Sequence, residues 1–163
     1  MDPIKVGAAV AAVGVGATGA GFGVFNYLNT PYSLYSFLNS VDGQALKTNY
    51  ENKLGGIVEN QNLFVANTPK NEWWWKKRFE EFKQDTNRST EFENLETYSI
   101  GTSDGSRAIN NVCDAAYKKD ISSFSSVTSN EGKSTYKQDI AKYCTVSSNE
   151  SNITWQKSTS DGA

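Results

Sequence analysis

The sequence predicts a mainly α protein: an N-terminal transmembrane helix, a small helical-bundle outer domain and an irregular C-terminal tail. Three observations predict it. Residues 6–25 carry no charge and one hydroxyl, Thr18. Apolar residues recur at helical spacing in several later segments. From Ser147 onward, Ser, Thr and Asn dominate. The division that follows is residues 1–28 as membrane anchor, 29–41 as juxtamembrane linker, 42–146 as helical outer domain and 147–163 as flexible polar tail.

The N-terminal run is long enough to span, since twenty helical residues rise roughly 30 Å, about the hydrocarbon thickness of a bilayer. A secretory signal peptide is the rival reading. Lys5 supplies a charged start and Ala17-Thr18-Gly19 a passable cleavage triplet. Length favours the anchor, because the run continues to Phe25. Gly14, Gly16 and Gly19 spell a dinucleotide-binding pattern, but that fingerprint needs a preceding strand and a βαβ unit, which the flanking residues do not supply. The same small residues offer a helix-association face. Gly19 and Gly23 form GxxxG, and Ala8, Ala12, Gly16 and Ala20 form a small-residue stripe. The alternative is that small residues are simply what the segment is made of. Lys5 precedes the run, and no Lys or Arg follows until Lys47. The positive-inside rule then places the N-terminus in the cytoplasm and the C-terminal domain outside the cell membrane. Tyr27, Tyr32 and Tyr35 suit the outer interface.

In the outer domain, Ala45, Leu46, Tyr50 and Leu54 recur at helical spacing between an Asp42-Gly43 turn and a Gly55-Gly56 stop. Residues 57–66 read as a short strand or an irregular connection. Thr68-Pro69 is a helix start, a cap residue followed by proline at the first position, and the helix runs to about Asp85. Phe92, Leu95 and Tyr98 form a shorter amphipathic stretch. After an Asp104-Gly105 turn, Ile109, Val112, Cys113, Ala116 and Tyr117 make a regular helix face. Residues 122–130 are a loop or a frayed helix end. The last helix carries Tyr136, Ile140, Tyr143 and Cys144.

Three consecutive tryptophans cannot all face one core at about 100° per residue. Trp75 shares its face with Phe79 and Phe82, Trp74 lies on the flank, and Trp73 projects nearly opposite Phe82. Trp73 and Trp74 with Lys76 and Lys77 are the candidate contact surface, for a partner protein or a lipid headgroup layer. The competing reading is a helix clamped between two layers, with tryptophan buried on both sides.

Cys113 and Cys144 each sit on an apolar helix face. In an outside domain they form a candidate disulfide, the alternative being two buried free thiols. The chain has no histidine. That removes the commonest general base and metal ligand, and leaves neither thiol an imidazole to activate it. The carboxylates Glu80, Glu81, Glu91, Glu93 and Glu96 read as a solvated face rather than acid–base pairs. A net charge of −2 gives no basic footprint for nucleic acid. No enzyme activity, cofactor or metal is expected. The expected partners are the bilayer, a host-cell protein and a second copy of the span.

Two segments carry a resemblance. They are Val112-Cys113-Asp114-Ala115-Ala116-Tyr117-Lys118-Lys119-Asp120 with Ile121-Ser122-Ser123-Phe124, and Tyr136-Lys137-Gln138-Asp139-Ile140-Ala141-Lys142-Tyr143-Cys144-Thr145. With the short N-terminus, the Gly/Ala/Val-rich span and the Lys-rich helical domain, they resemble the short paralogous proteins of haemotrophic mycoplasmas. The likeness covers the span and roughly the outer domain, and is weaker between residues 30 and 100. It implies a wall-less bacterium living on red cells, an expanded family without assigned activity, and surface display with antigenic variety. It carries over no catalytic residue, and the Trp triplet is a departure of this member.

Overall fold

The computed structural model describes residues 30–98, 107–125 and 131–156. The candidate span and its association face, Ala8, Ala12, Gly16, Gly19, Ala20 and Gly23, lie outside the described residues. Among the described residues no helix is long and apolar enough to cross a membrane.

Seven α-helices carry the described chain: α1 (Leu34–Leu38), α2 (Val41–Gln44), α3 (Val58–Leu63), α4 (Glu72–Lys83), α5 (Ile109–Tyr117), α6 (Ser122–Ser125) and α7 (Glu131–Cys144). No strand is formed among the described residues, so the fold is mainly helical. The three longest helices follow the apolar spacing. α5 buries Ile109, Val112, Cys113, Ala116 and Tyr117. α7 buries Tyr136, Ile140, Tyr143 and Cys144 against it. α4 buries Trp75, Phe79 and Phe82, and a 3-10 turn over Pro69–Asn71 feeds its first residue. Proline is tolerated there because a helix's first N–H groups have no intrahelical acceptor.

The centre of the fold is not a helix. Phe64, Val65 and Ala66 are extended and wholly buried. Leu34 N donates to Phe64 O at 2.8 Å and Ala66 N to Tyr32 O at 3.1 Å on one side. On the other, Val65 N donates to Cys144 O at 3.0 Å and Val146 N to Leu63 O at 3.1 Å. Three short extended segments thus pair side by side, which satisfies backbone groups that would otherwise be buried unpaired. The Tyr117 hydroxyl adds bonds to Cys144 O at 2.7 Å and Val65 O at 3.1 Å. The ambiguous residues 57–66 therefore resolve into helix α3 followed by this central segment.

The expected linker, residues 29–41, is part of the domain from Thr30 on. Leu34 and Leu38 are 1% exposed, and α1 packs on α3. Ser33 caps α1 through Ser36 N, and Ser40 caps α2 through Gly43 N. Apolar burial and caps make this segment structural, which the tyrosine count obscures. Asp42 and Gly43 sit inside α2 rather than forming a turn. The expected helix over residues 45–54 is absent. Ala45 and Leu46 are exposed, 3-10 turns occupy Lys47–Tyr50 and Leu54–Gly56, and Asn52 takes a left-handed φ of 58° between them. A Cβ on Gly56 would lie 2.2 Å from Tyr50 O, so this close approach of backbones requires glycine.

The expected mobile tail is also corrected, as far as residue 156. Ile153 is 5% exposed, and the Trp155 ring lies 5.3 Å from that of Phe124. Asn60, itself buried, accepts from Thr154 N at 2.8 Å and donates to Thr154 O at 2.8 Å. Polar composition hid an amide clamp that needs no apolar run. Truncation after Ser148 is expected to leave Asn60 and Phe124 uncovered, and to make the domain cleavable by dilute protease within minutes. A digestion pattern identical to the full chain's would count against a docked tail.

Asp85 closes the far end of α4 against α7, accepting from Lys142 Nζ and Tyr143 Oη. Arg88 covers the same helix end, with its guanidinium 3.7 Å over the Phe82 ring and bonds to the Phe82 and Asp85 carbonyls. The Lys142 and Tyr143 bonds hold the Asp85 carboxyl well below the ordinary carboxylate range. Asp139, 3% exposed and accepting from Ser89 N at 2.7 Å, is pushed up by burial. The signs oppose. Asp85's stabilisation is complete above its unfolded pKa of about 3.9 and lost as pH falls toward its depressed folded value. Asp139's raised pKa makes its ionisation destabilising, so stability is gained as pH falls through that value. In melting temperature measured against pH, Asp85→Asn is expected to flatten the acid side below about pH 4. Asp139→Asn is expected to flatten the higher-pH side instead. Identical profiles for all three proteins would rule this assignment out.

Candidate contact surface

The candidate surface is built on the first half of α4. Trp73, Lys76 and Lys77 stand at i, i+3 and i+4, which places them on one side of the helix. All three are exposed, Trp73 by 44%. Trp75 on the opposite side is wholly buried and donates from Nε1 to Ala66 O at 3.2 Å.

Trp74 does not belong to this surface. It is 6% exposed, packs edge-on against Trp75 with ring centroids 4.6 Å apart, and is covered by the Arg78 guanidinium at 4.9 Å. Arg78 reaches on to Glu81 at 2.6 Å and Thr145 O at 3.3 Å. Its fork geometry suits stacking and hydrogen bonding at once, which puts a flank tryptophan inside. The two readings of the triplet therefore each describe part of it. Trp74 and Trp75 are clamped, and Trp73 faces outward. Trp74→Ala is expected to cost about 3 kcal/mol or more, whereas Trp73→Ala should stay within about 0.5–1 kcal/mol. Denaturant titration of the two variants compares them directly, and equal losses would contradict the division.

Two further residues join the surface. Lys70, in the turn before α4, lies 4.7 Å over the Tyr32 ring. Tyr32 is fixed by Asn71, whose Oδ1 accepts from Tyr32 N at 2.7 Å and whose Nδ2 donates to Tyr32 O at 2.8 Å. Between them runs an open groove of about 370 Å³, lined by Thr30, Tyr32, Ser36, Asn62, Lys70 and Trp73 among others. The sequence reading missed Lys70 and Tyr32 as neighbours of Trp73. The i−3 spacing of Lys70 was visible, but the approach of residue 32 depends on a buried asparagine.

Lys53, Arg78, Lys83, Arg107, Lys118, Lys119 and Lys142 each pair with a carboxylate. No such pair among the described residues involves Lys70, Lys76 or Lys77, nor Lys47, Arg88 or Lys137. A second groove, of about 440 Å³, runs past Glu91, Arg107, Lys119 and Tyr136. Both of its basic side chains are paired, Lys119 with Glu91 at 3.7 Å and Arg107 with Glu96 at 2.6 Å. Glu80 and Glu81 are taken by Lys83 and Arg78, so the expected solvated carboxylate face is laced with ion pairs. Among the described residues no cluster of acidic or cysteine side chains is placed to hold a metal ion.

Cys113 and Cys144 meet in a disulfide, Cα atoms 5.4 Å apart, joining α5 to the end of α7. Both are wholly buried beside the central extended segment. No known protein family, curated protein or solved structure matches this chain.

Proposed function

We propose that this is a single-pass surface protein with a cytoplasmic N-terminus, displaying an extracellular helical domain for host-cell contact or antigenic variety. The observation that carries the reading is the uncharged run of residues 6–25, which ends five residues before Thr30, the first described residue of the domain. The buried disulfide supports an outside location, because such bonds persist in oxidising compartments. The resemblance to the paralogous proteins of haemotrophic mycoplasmas supports surface display. The absence of histidine supports a non-catalytic role.

The test is labelling of intact cells with an antibody to residues 42–145, followed by protease shaving. Labelling and loss of the domain are expected. Protection of the domain until the cells are lysed would overturn the orientation.

A second reading draws on the small-residue stripe through Gly19 and Gly23, which suits self-association of spans in an envelope assembly. Capture of a specific host-cell protein favours contact. Oligomers that vanish when Gly19 and Gly23 become leucine, with no host partner, favour assembly. If the intact mass shows residues 6–25 to be cleaved, the protein is secreted and the assembly reading falls.

A further inference from the structure

We propose that the Trp73 side of the domain rests on the outer headgroup layer of the membrane that anchors the chain, and engages anionic phospholipid there. The inference rests on the anchored reading above and adds to it which face of the domain meets the bilayer.

Three observations converge. The first is reach. Phe25 precedes Thr30 by five residues, at most about 17 Å of extended chain, and Thr30 lines the same groove as Trp73 and Lys70. An anchored run therefore holds this side of the domain near the membrane surface. The tether also keeps it at high effective concentration against that surface.

The second is charge. Lys70, Lys76 and Lys77 form no ion pair among the described residues and stand together around Trp73, Lys70 across the groove and the other two on its side of the helix. Each lysine near an anionic surface shifts the contact equilibrium by about fivefold. Glu80, the next residue along the same helical stripe, is neutralised by Lys83 at 2.6 Å.

The third is the ring. Trp73 is half exposed while the next two tryptophans are packed away. An indole beside ammonium groups, with a tyrosine across the groove, is the side-chain chemistry of the membrane interface. A protein partner is also recognised by Trp beside basic residues. The short tether decides between them, since the headgroup layer is always within reach and a separate protein is not.

The experiment uses the full chain reconstituted in phosphatidylcholine–phosphatidylglycerol vesicles, part of the phosphatidylcholine brominated near the headgroup end of its acyl chains. Tryptophan emission is expected to be quenched. Trp73→Phe, a change on the surface, should remove more than half of that quenching. The triple variant Lys70→Glu/Lys76→Glu/Lys77→Glu, and vesicles of phosphatidylcholine alone, should lower it severalfold. Raising salt to about 1 M, where the Debye length is near 3 Å, should lower it too. Retention through an alkaline carbonate wash reports the anchor separately. Retained chain whose quenching is absent, or is the same in Trp73→Phe, overturns this inference and leaves the anchor standing. Chain washed from the vesicles overturns both.

Discussion

Removing the 113–144 disulfide, by reductant or by Cys113→Ala/Cys144→Ala, is expected to lower stability by about 3–4 kcal/mol. For a domain of this size that is roughly 10–15 °C in melting temperature. The magnitude comes from the unfolded chain. The bond closes a sequence separation of 31 residues, and loop-closure entropy grows with the logarithm of that length. The folded side of the balance changes little, because both sulfurs are buried among apolar neighbours and reduced thiols pack there as small hydrophobes. Scanning calorimetry with and without reductant measures the difference. A melting temperature unaffected by reductant would mean that the bond constrains nothing the core does not already fix.

Asn71→Asp is expected to cost about 3–5 kcal/mol, although it changes one atom in shape. Asn71 is wholly buried, and its amide donates to Tyr32 O and to Ala66 O, each at 2.8 Å. A carboxylate there turns two hydrogen bonds into two oxygen–oxygen contacts and buries a charge. Only the bond accepted from Tyr32 N survives. The variant carries its own signature. Burial beside carbonyl oxygens raises the new carboxyl's pKa, so the deficit should shrink as pH falls through that raised value and the group becomes neutral. Denaturant titration at two pH values reads both effects. A loss below about 1 kcal/mol, the range of an ordinary surface change, would show that the clamp on residue 32 is dispensable.

What was legible in the sequence was carried by periodicity. α4, α5 and α7 are long enough for apolar spacing to rise above chance, and their buried faces are the ones that the spacing marks. The cysteines were readable for the same reason, since each lies on such a face. What escaped is held by single polar side chains. Asn60 and Asn71 fix Thr154 and Tyr32 through their amides, and no pattern distinguishes them from the asparagines exposed in loops. Residues 45–54 misled in the opposite direction. Tyr50 and Leu54 reach the core from separate 3-10 turns, so helical spacing arose without a helix. In the contact surface, Trp73 and its two lysines followed from the angle per residue. Trp74 did not, because Arg78 covers it.

The central extended segment has a kinetic consequence. Residues 64–66 pair with residues 32–34 on one side and 144–146 on the other, and Asn60 nearby binds Thr154, 94 positions later. A chain emerging from the ribosome has α4 and α5 before the pairing with residues 144–146, or the Asn60 bonds to Thr154, can close. Contacts of such sequence separation are slow to form, because loop entropy is lost before they give anything back. The domain therefore completes its core only after residue 154 has been synthesised. Under the proposed surface location, that delay would keep the domain threadable through a membrane until the last residues of its core leave the ribosome.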